Sequence, residues 1–404
     1  MSYIGKTPTS VPLTSSDITD GIITSAKIAD GAVATVDIAD ANVTAAKLAS
    51  GTVQNQSSFK NIIINGDMSL AQRATSTSSI TGNGYHTIDR FNTINTTLGT
   101  WTQSQSTDVP TGQGFATSLK MDCTTADASP AAGDRLDIQQ KFEGQNLQYL
   151  KKGTSSAQST TLSFWVKSNK TGTYIVELFD SDNTRQISQA YTISSSNTWE
   201  KKTLTFAGDT SGALGNDNGN SLQVSWFLAV GSTYSSGTLS TTWTSNTNAN
   251  RAVGQVNLAD STSNEWYVTG VQLEAGTTAS EFEFLPFAAN LTRCQRYFQK
   301  SYDVNVNPAT STSVGEQTIG GGSDAGGNIS VMLTQHGEMR SAPTIVGYAG
   351  GTSGSWGVNR NGASGTGTFN THRNGQHSTS AYAAIGAGWT VGWITGHFTM
   401  SSEL

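Results

Sequence analysis

Leu162-Ser163-Phe164-Trp165-Val166-Lys167, followed after a Gly-containing turn by Tyr174-Ile175-Val176-Glu177-Leu178-Phe179, sets the fold class of this chain. β-Branched and aromatic residues dominate both runs, apolar side chains recur at every second position in the first, and turn formers bound each of them. Thr203-Leu204-Thr205-Phe206, Leu222 to Leu228 (LQVSWFL) and Trp266 to Leu273 (WYVTGVQL) repeat the pattern between Gly/Asn/Asp/Ser clusters. No helical periodicity alternates with these runs, which argues against parallel βαβ units. The reading is mainly β, with a central antiparallel sandwich of jelly-roll type over 59–287.

Working outward, 288–302 changes period. Leu291, Cys294 and Phe298 stand at i, i+3 and i+7 among Arg293, Arg296 and Lys300, predicting a short amphipathic helix that acts as a connector. From 303 to 404 the chain is again Gly-rich and strand-like, as in Ile329-Ser330-Val331-Met332-Leu333, and reads as a smaller C-terminal β domain.

On the N-terminal side, 54–58 is a polar linker, and 17–53 repeats a ten-residue phrase: DITDGIITSA, KIADGAVATV, DIADANVTAA, KLASGTV. Ile18, Ile23, Ile28, Val33, Ile38, Val43, Leu48 and Val53 recur at every fifth position. That step makes no stripe on a helix and changes face on a strand, so the turns at Asp20-Gly21 and Asp30-Gly31 must reset the direction. One apolar anchor in five residues gives a lone chain too little to bury. Identical partner chains are therefore expected to complete a shaft over 17–58. Asp17, Lys27, Asp37 and Lys47 alternate in sign before their anchors and would help set register. Residues 1–16, with Pro8 and Pro12, read as an extended attachment segment.

Composition narrows the function. Of 404 residues only 13% are charged, about half the usual ~25%, and Gly, Ser, Thr and Asn fill the gap. A net charge of −6 and the lack of a basic run leave no electrostatic footprint for nucleic acid. No apolar run reaches the length of a membrane span and no signal-peptide core follows Met1, so synthesis in the cytoplasm without membrane insertion is expected. Cys123 and Cys294 are then expected as reduced, buried thiols.

Several stretches resemble tail fibre proteins of marine and cyanobacterial phages. YIGKTPTS and the repeats resemble their N-terminal region. Asn61 to Asp67 (NIIINGD) with Tyr85 and Asp89-Arg90-Phe91, then FWVKS, NTWEKKTLTFAGDTSG and VTGVQLEAGTTASEFEFLP, resemble their jelly roll of carbohydrate-binding-module type. Cys294 to Phe298 (CQRYF) resembles the exit from that domain, and Met339 to Thr344 (MRSAPT) with Ser402-Glu403-Leu404 resemble their C-terminal domain. The resemblance implies a virion protein, homotrimeric, joined to other tail or adaptor proteins by its N-terminus and touching a host surface glycan or receptor at the other end. Its implied role is adsorption without catalysis; a polysaccharide depolymerase tailspike and a purely structural fibre are the alternatives.

Candidate sites emerge from chemistry. Sugars need flat aromatic faces beside hydrogen-bonding groups; Trp101, Tyr234, Trp243 and Trp356 lie in Gly/Ser/Thr/Asn-rich contexts that suit this, whereas Trp165, Trp226 and Trp266 sit in strand-like runs and are expected in the core. The Gly-rich loops around 350–380 are expected to meet the receptor, through Trp356, Arg360, His372, Arg373 and His377. No cofactor is expected, the acid-rich loop 208–219 reading as a solvated turn; the alternative there is calcium on Asp209 and Asp217. The resemblance adds Asp67 and Glu274 as a second calcium pair. No GxSxG, HExxH or P-loop occurs, and Asp134/Asp137 and Asp180/Asp182 lack a parallel β-helix around them, so a catalytic residue is not expected.

Overall fold

Strict alternation decides which way each strand of the sandwich faces. In Thr160–Ser168, Leu162, Phe164 and Val166 are fully buried while Trp165 is half-buried on the opposite face. The computed structural model describes Ile28 and residues 59–321, 323–324, 327–360, 363–384 and 392–404. Seven of the eight shaft anchors lie outside these residues; Ile28 is exposed. The chain divides into Met1–Ser58 and Phe59–Leu404, and the sandwich and the C-terminal sheet both belong to the second unit.

Two antiparallel sheets form the sandwich. Sheet I runs Ser76–Ile80, Thr100–Ser106, Ser118–Thr125, Glu265–Ala275, Thr160–Ser168, Glu200–Phe206. Sheet II runs Thr244–Ser245, Arg185–Ile193, Gly172–Asp180, Asn220–Val230, Arg135–Glu143, Asn92–Thr96, Gly84–Tyr85. The inward residues make one core in which Phe164 meets Tyr191 at 5.2 Å and Trp226 at 6.0 Å, both edge-on. Such pairs add roughly 0.5–1.5 kcal/mol each beyond the area they bury. Cys123 and Cys294 are free and buried.

The outer face of sheet II is covered by the chain itself. Alternation in Gly172–Asp180 sends Ile175, Glu177 and Phe179 outward, and the segment 231–256 folds over them. Arg251 makes a two-pronged pair with Glu177, at 2.8 and 2.5 Å, and both are buried. On the outer face of sheet I, Lys167 and Tyr267 are also buried, beside Trp199 and Asp108, while Lys120 and Trp199 are half-buried.

A third sheet forms the C-terminal domain, in the order Asn328–Leu333, Thr379–Ala384, Ala363–His372, Ser355–Arg360, Gly392–Ser401, Thr344–Ala349, Thr352–Ser353. Gln317–Gly321 and Phe298–Lys300 also pair with Gly392–Ser401. The expected connector helix is shorter than its period suggested: it spans Phe287–Gln295, and Phe298 instead opens a strand. The Ser402 amide donates to the Tyr297 carbonyl at 2.8 Å, so pairing with Thr399–Ser401 draws the chain straight before another helical turn can form.

The scattered motifs of the sequence converge where this domain meets the sandwich. Asn61 to Asp67 packs so closely on Glu265–Ala275 that a Cβ on Gly66 would lie 2.1 Å from the Val271 carbonyl oxygen. Asn65 ties the turn to the carbonyls of Leu70 and Asp89. Fully buried Arg90 pairs with Glu403, and its guanidinium stacks 3.4 Å above the Tyr297 ring. Arg73 joins Glu403 at 2.9 Å and Asp89 at 3.4 Å. Tyr85 and Lys141 both donate to the Leu404 carbonyl, while Arg340 donates to the Ser402 and Glu403 carbonyls. Arg296 and Tyr297 complete the junction on Glu143. Burial works to raise the Glu143 carboxyl, but the bonds from Arg296 and Tyr297 outweigh it and hold the group below the usual range.

Because Arg90 is buried, Glu403→Ala leaves a guanidinium without its counter-charge and should cost about 3–5 kcal/mol, whereas Arg90→Met with Glu403→Met should cost much less. Urea unfolding of the three proteins measures this; a loss under ~1 kcal/mol for Glu403→Ala would contradict the assignment.

Candidate functional site

The outer face of sheet I carries a row set by register, whose central members Lys167 and Tyr267 are buried. Lys167 stands opposite Tyr267, and Tyr267 opposite Lys120. Glu200 pairs with Val166 and Lys201 with Trp165, which sets Trp199, just ahead of its strand, beside Lys167. Four neighbouring chain segments thus line up Trp199, Lys167, Tyr267 and Lys120. The Lys167 ammonium lies 4.3 Å from the centre of the Tyr267 ring and 5.8 Å from that of Trp199; Lys120 lies 5.4 Å from Tyr267. Trp199 and Tyr267 meet edge-on at 6.1 Å.

Carboxylates fix the row from its margins. Asp108 accepts the Trp199 indole N–H at 2.9 Å and also pairs with Lys167. Lys120 pairs with Glu265 at 2.7 Å and Asp122 at 3.5 Å. Burial would lower the Lys120 ammonium, but its bonds to Glu265 and Tyr267 raise it above the usual lysine value. Burial, then Glu265, pushes the Tyr267 phenol up to about 12. At Asp108 burial is opposed by the bonds from Lys167 and Trp199, which hold the carboxyl below its ordinary value. Around neutral pH Lys120 therefore stays charged and Asp108 is an acceptor, not a proton donor. Trp165 lies one step further along, half-buried beside Lys201 and Thr269. A half-exposed indole with ammonium and carboxylate groups at its edge can receive the C–H face of a pyranose and bond its hydroxyls.

The sugar-stacking candidates read from sequence lie elsewhere. Trp101 is fully buried in the sandwich core, its indole N–H spent on the Leu98 carbonyl, so no sugar reaches it. Tyr234 belongs to the cover of sheet II and is half-buried there, with Arg135 and Arg251 at 5.6 and 5.9 Å from its ring. Trp243 is half-buried, donates to the Ala207 carbonyl, and carries the Lys152 ammonium 4.4 Å from its ring. A groove of about 440 Å³ opens beside Lys152, between Leu147, Gln148 and Leu214.

The receptor candidates are not one surface. Trp356 is fully buried in the C-terminal core and donates to the His397 carbonyl, which removes it as a contact residue. Arg360 pairs through its backbone with Ala363 and Gly392, at one end of the third sheet. His372 closes the strand that Ala363 opens, about 30 Å away at ~3.3 Å per residue. His372 contacts Tyr382, Arg373 is exposed, and exposed His377 sits 3.8 Å from Glu338. Their turn leans back on the junction, where Met339 donates to Gln376, Gln376 donates to Arg340, and Asn218 also donates to Arg340. The Gly-rich stretch is one segment in sequence; its strands carry its two ends apart.

The calcium candidates are engaged by protein donors. Asp209 is buried and held by Lys152 at 2.9 Å and Arg185 at 2.6 Å, so its charge is already neutralised. Asp217 accepts the Gly219 amide in a turn. Asp67 accepts from Ser69 and Asn290, and Glu274 from Gln272 and Ser280. Among the described residues no group of three or more His, Cys, Asp or Glu is arranged to hold a metal ion.

No protein-family model matches the chain. No curated protein matches its sequence. Solved structures similar to part of it include the enzymatically active domain of tailspike protein 4 from bacteriophage CBA120, 15% identical over 54% of this chain and 21% of that one, TM-score 0.28. The family 11 carbohydrate-binding module of Clostridium thermocellum is 12% identical over 50% of this chain and 98% of that one, TM-score 0.25. The C-terminal family 22 module of Xyn10B from the same organism is 11% identical over 49% and 98%, TM-score 0.26. The chain spans about a fifth of the tailspike chain it matches (21%).

Asp209 gives a pH test. Burial acts to raise its pKa, but the bonds from Arg185 and Lys152 prevail and set it below the ordinary 3.8. Its stabilising effect is then complete above the unfolded value and is lost as pH falls through the folded one. Asp209→Asn should lose roughly 1–3 kcal/mol at pH 7 and show a shallower loss of stability below about pH 4 than the parent. Denaturant titrations across pH 3–7 measure both, and parallel profiles would contradict this role.

Proposed function

We propose that the chain is a non-enzymatic adhesive fibre of a phage virion that binds a glycan on the host surface. In this reading residues 1–16 join other tail or adaptor proteins, the five-residue repeat unites three identical chains, and the sandwich presents the glycan site. The observation that carries recognition is the row on sheet I, in which half-buried Trp199 and Lys120 flank buried Lys167 and Tyr267. The opposite sheet is closed to a ligand by 231–256. Held below its normal pKa, Asp108 is a poor general acid, which favours binding over glycoside cleavage. Weak contact per chain would be raised by avidity across the copies.

The full chain, probed on an array of neutral and acidic polysaccharides, should retain at least one of them. Trp199→Ala should weaken that binding roughly tenfold or more, a loss of ~1.4 kcal/mol, while Tyr234→Ala, in the cover of the other sheet, should leave it unchanged. Retention of none would overturn the adhesive reading in favour of a structural fibre. Unaltered binding by Trp199→Ala would overturn the site. A shortened glycan after prolonged incubation would establish a depolymerase.

A further inference from the structure

Where the described unit begins, five phenylalanines gather on its surface. Phe59, Phe284 and Phe287 are 60%, 53% and 54% exposed. Phe284 packs ring to ring with half-buried Phe115 and Phe282 at 5.2 and 4.8 Å, and those two meet at 5.1 Å. Gly270, at φ +61, leaves room for this cluster: a Cβ there would meet the Phe115 ring at 2.5 Å. Glu283 ties the entry point to the cluster, accepting the Phe59 amide at 2.5 Å and the Asn61 amide at 2.9 Å, while Lys60 is bonded to Ser280. The polar groups at the margin are thus satisfied within the chain. What faces solvent is aromatic carbon, and burying one such side chain is worth ~1.5–3 kcal/mol. Contiguous exposed patches of this kind mark interaction surfaces.

We propose that the patch of Phe59, Phe284 and Phe287 is a contact between copies of this chain. The length and position of the preceding segment name the occupant. Residues 1–58, of which Ile28 alone is described, end at Phe59 itself, and they carry the repeat whose one-in-five anchors require identical partners. Phe59 follows Ser58 directly in the chain, so copies joined along that repeat hold their aromatic patches at high effective concentration to one another. A closed symmetric ring buries that patch from every chain. Glu283 and Lys60 have their hydrogen bonds met within the chain, so neither needs a partner from the neighbouring copy. The inference rests on the oligomeric part of the proposed function and is independent of glycan binding.

Light scattering of the full chain over a dilution series gives its dissociation range. Phe284→Ser with Phe287→Ser should move that range to at least tenfold higher concentration, whereas Val314→Ser, an exposed apolar residue outside the patch, should not. Hydrogen exchange of the parent, read at amides 284–290 above and below its dissociation range, supplies a readout that needs no variant; protection should fall on dilution. An oligomer with an unchanged dissociation range in the double variant and no dilution-dependent protection would overturn the patch and leave the repeat's role standing. A monomeric parent at micromolar concentration would overturn both.

Discussion

The burial of Arg90 against Glu403 is the constraint on which the arrangement of this unit depends. A guanidinium taken wholly out of water is stable only with its counter-charge and remaining donors satisfied. Here Glu403 supplies the counter-charge and the Lys141 carbonyl and the Tyr297 ring meet the guanidinium as well, although its Nε is buried without a hydrogen-bond partner. Arg90 comes from the sandwich, Tyr297 from the stretch after the connector helix, and Glu403 from the last residues of the sequence. None of the three positions can shift without leaving a charge unpaired. The C-terminal sheet is consequently not a bead on a string but part of one unit with the sandwich.

That junction also accounts for the division of labour between the two sandwich faces. Sheet II spends its outer face on the chain's own loop, sealed by Arg251 on Glu177 and by the cluster around Phe227. Sheet I instead lays cations between aromatic rings by strand register, with Trp199 and Lys120 left half-buried at the surface. The same alternation that fills the core thus decides which chemistry remains outside.

Much of the fold was legible because its strongest strands announce themselves. The runs around Phe164, Val176, Val224 and Val268 carry enough β-branched and aromatic residues to be read directly, and all lie in strands. Thr100–Ser106 shows the limit: in TWTQSQS the inward side chains include one hydrophobe, Trp101, and an amide, Gln103, so the sequence looks like a polar loop around a lone indole. For the same reason Trp101 and Trp356 read as surface aromatics. Trp199 was missed although its signal exists, since alternation through Glu200–Phe206 puts Lys202, Leu204 and Phe206 on one face and Trp199, Lys201 and Thr203 on the other. What no single-strand pattern reveals is register between strands distant in sequence, and both the aromatic row and the Arg90 junction are products of register.

The pairing of every lysine in that row with a neighbouring carboxylate has a consequence for the medium in which it works. Long-range attraction between charged surfaces fades as salt rises, with a Debye length of only ~3 Å at 1 M. Ring stacking and contacts at 4–6 Å between groups already fixed in the protein are far less affected. On the proposed reading, a surface of this composition, on a chain of net charge −6, would not draw a glycan from afar. It would hold one by contact, in brine as in dilute buffer.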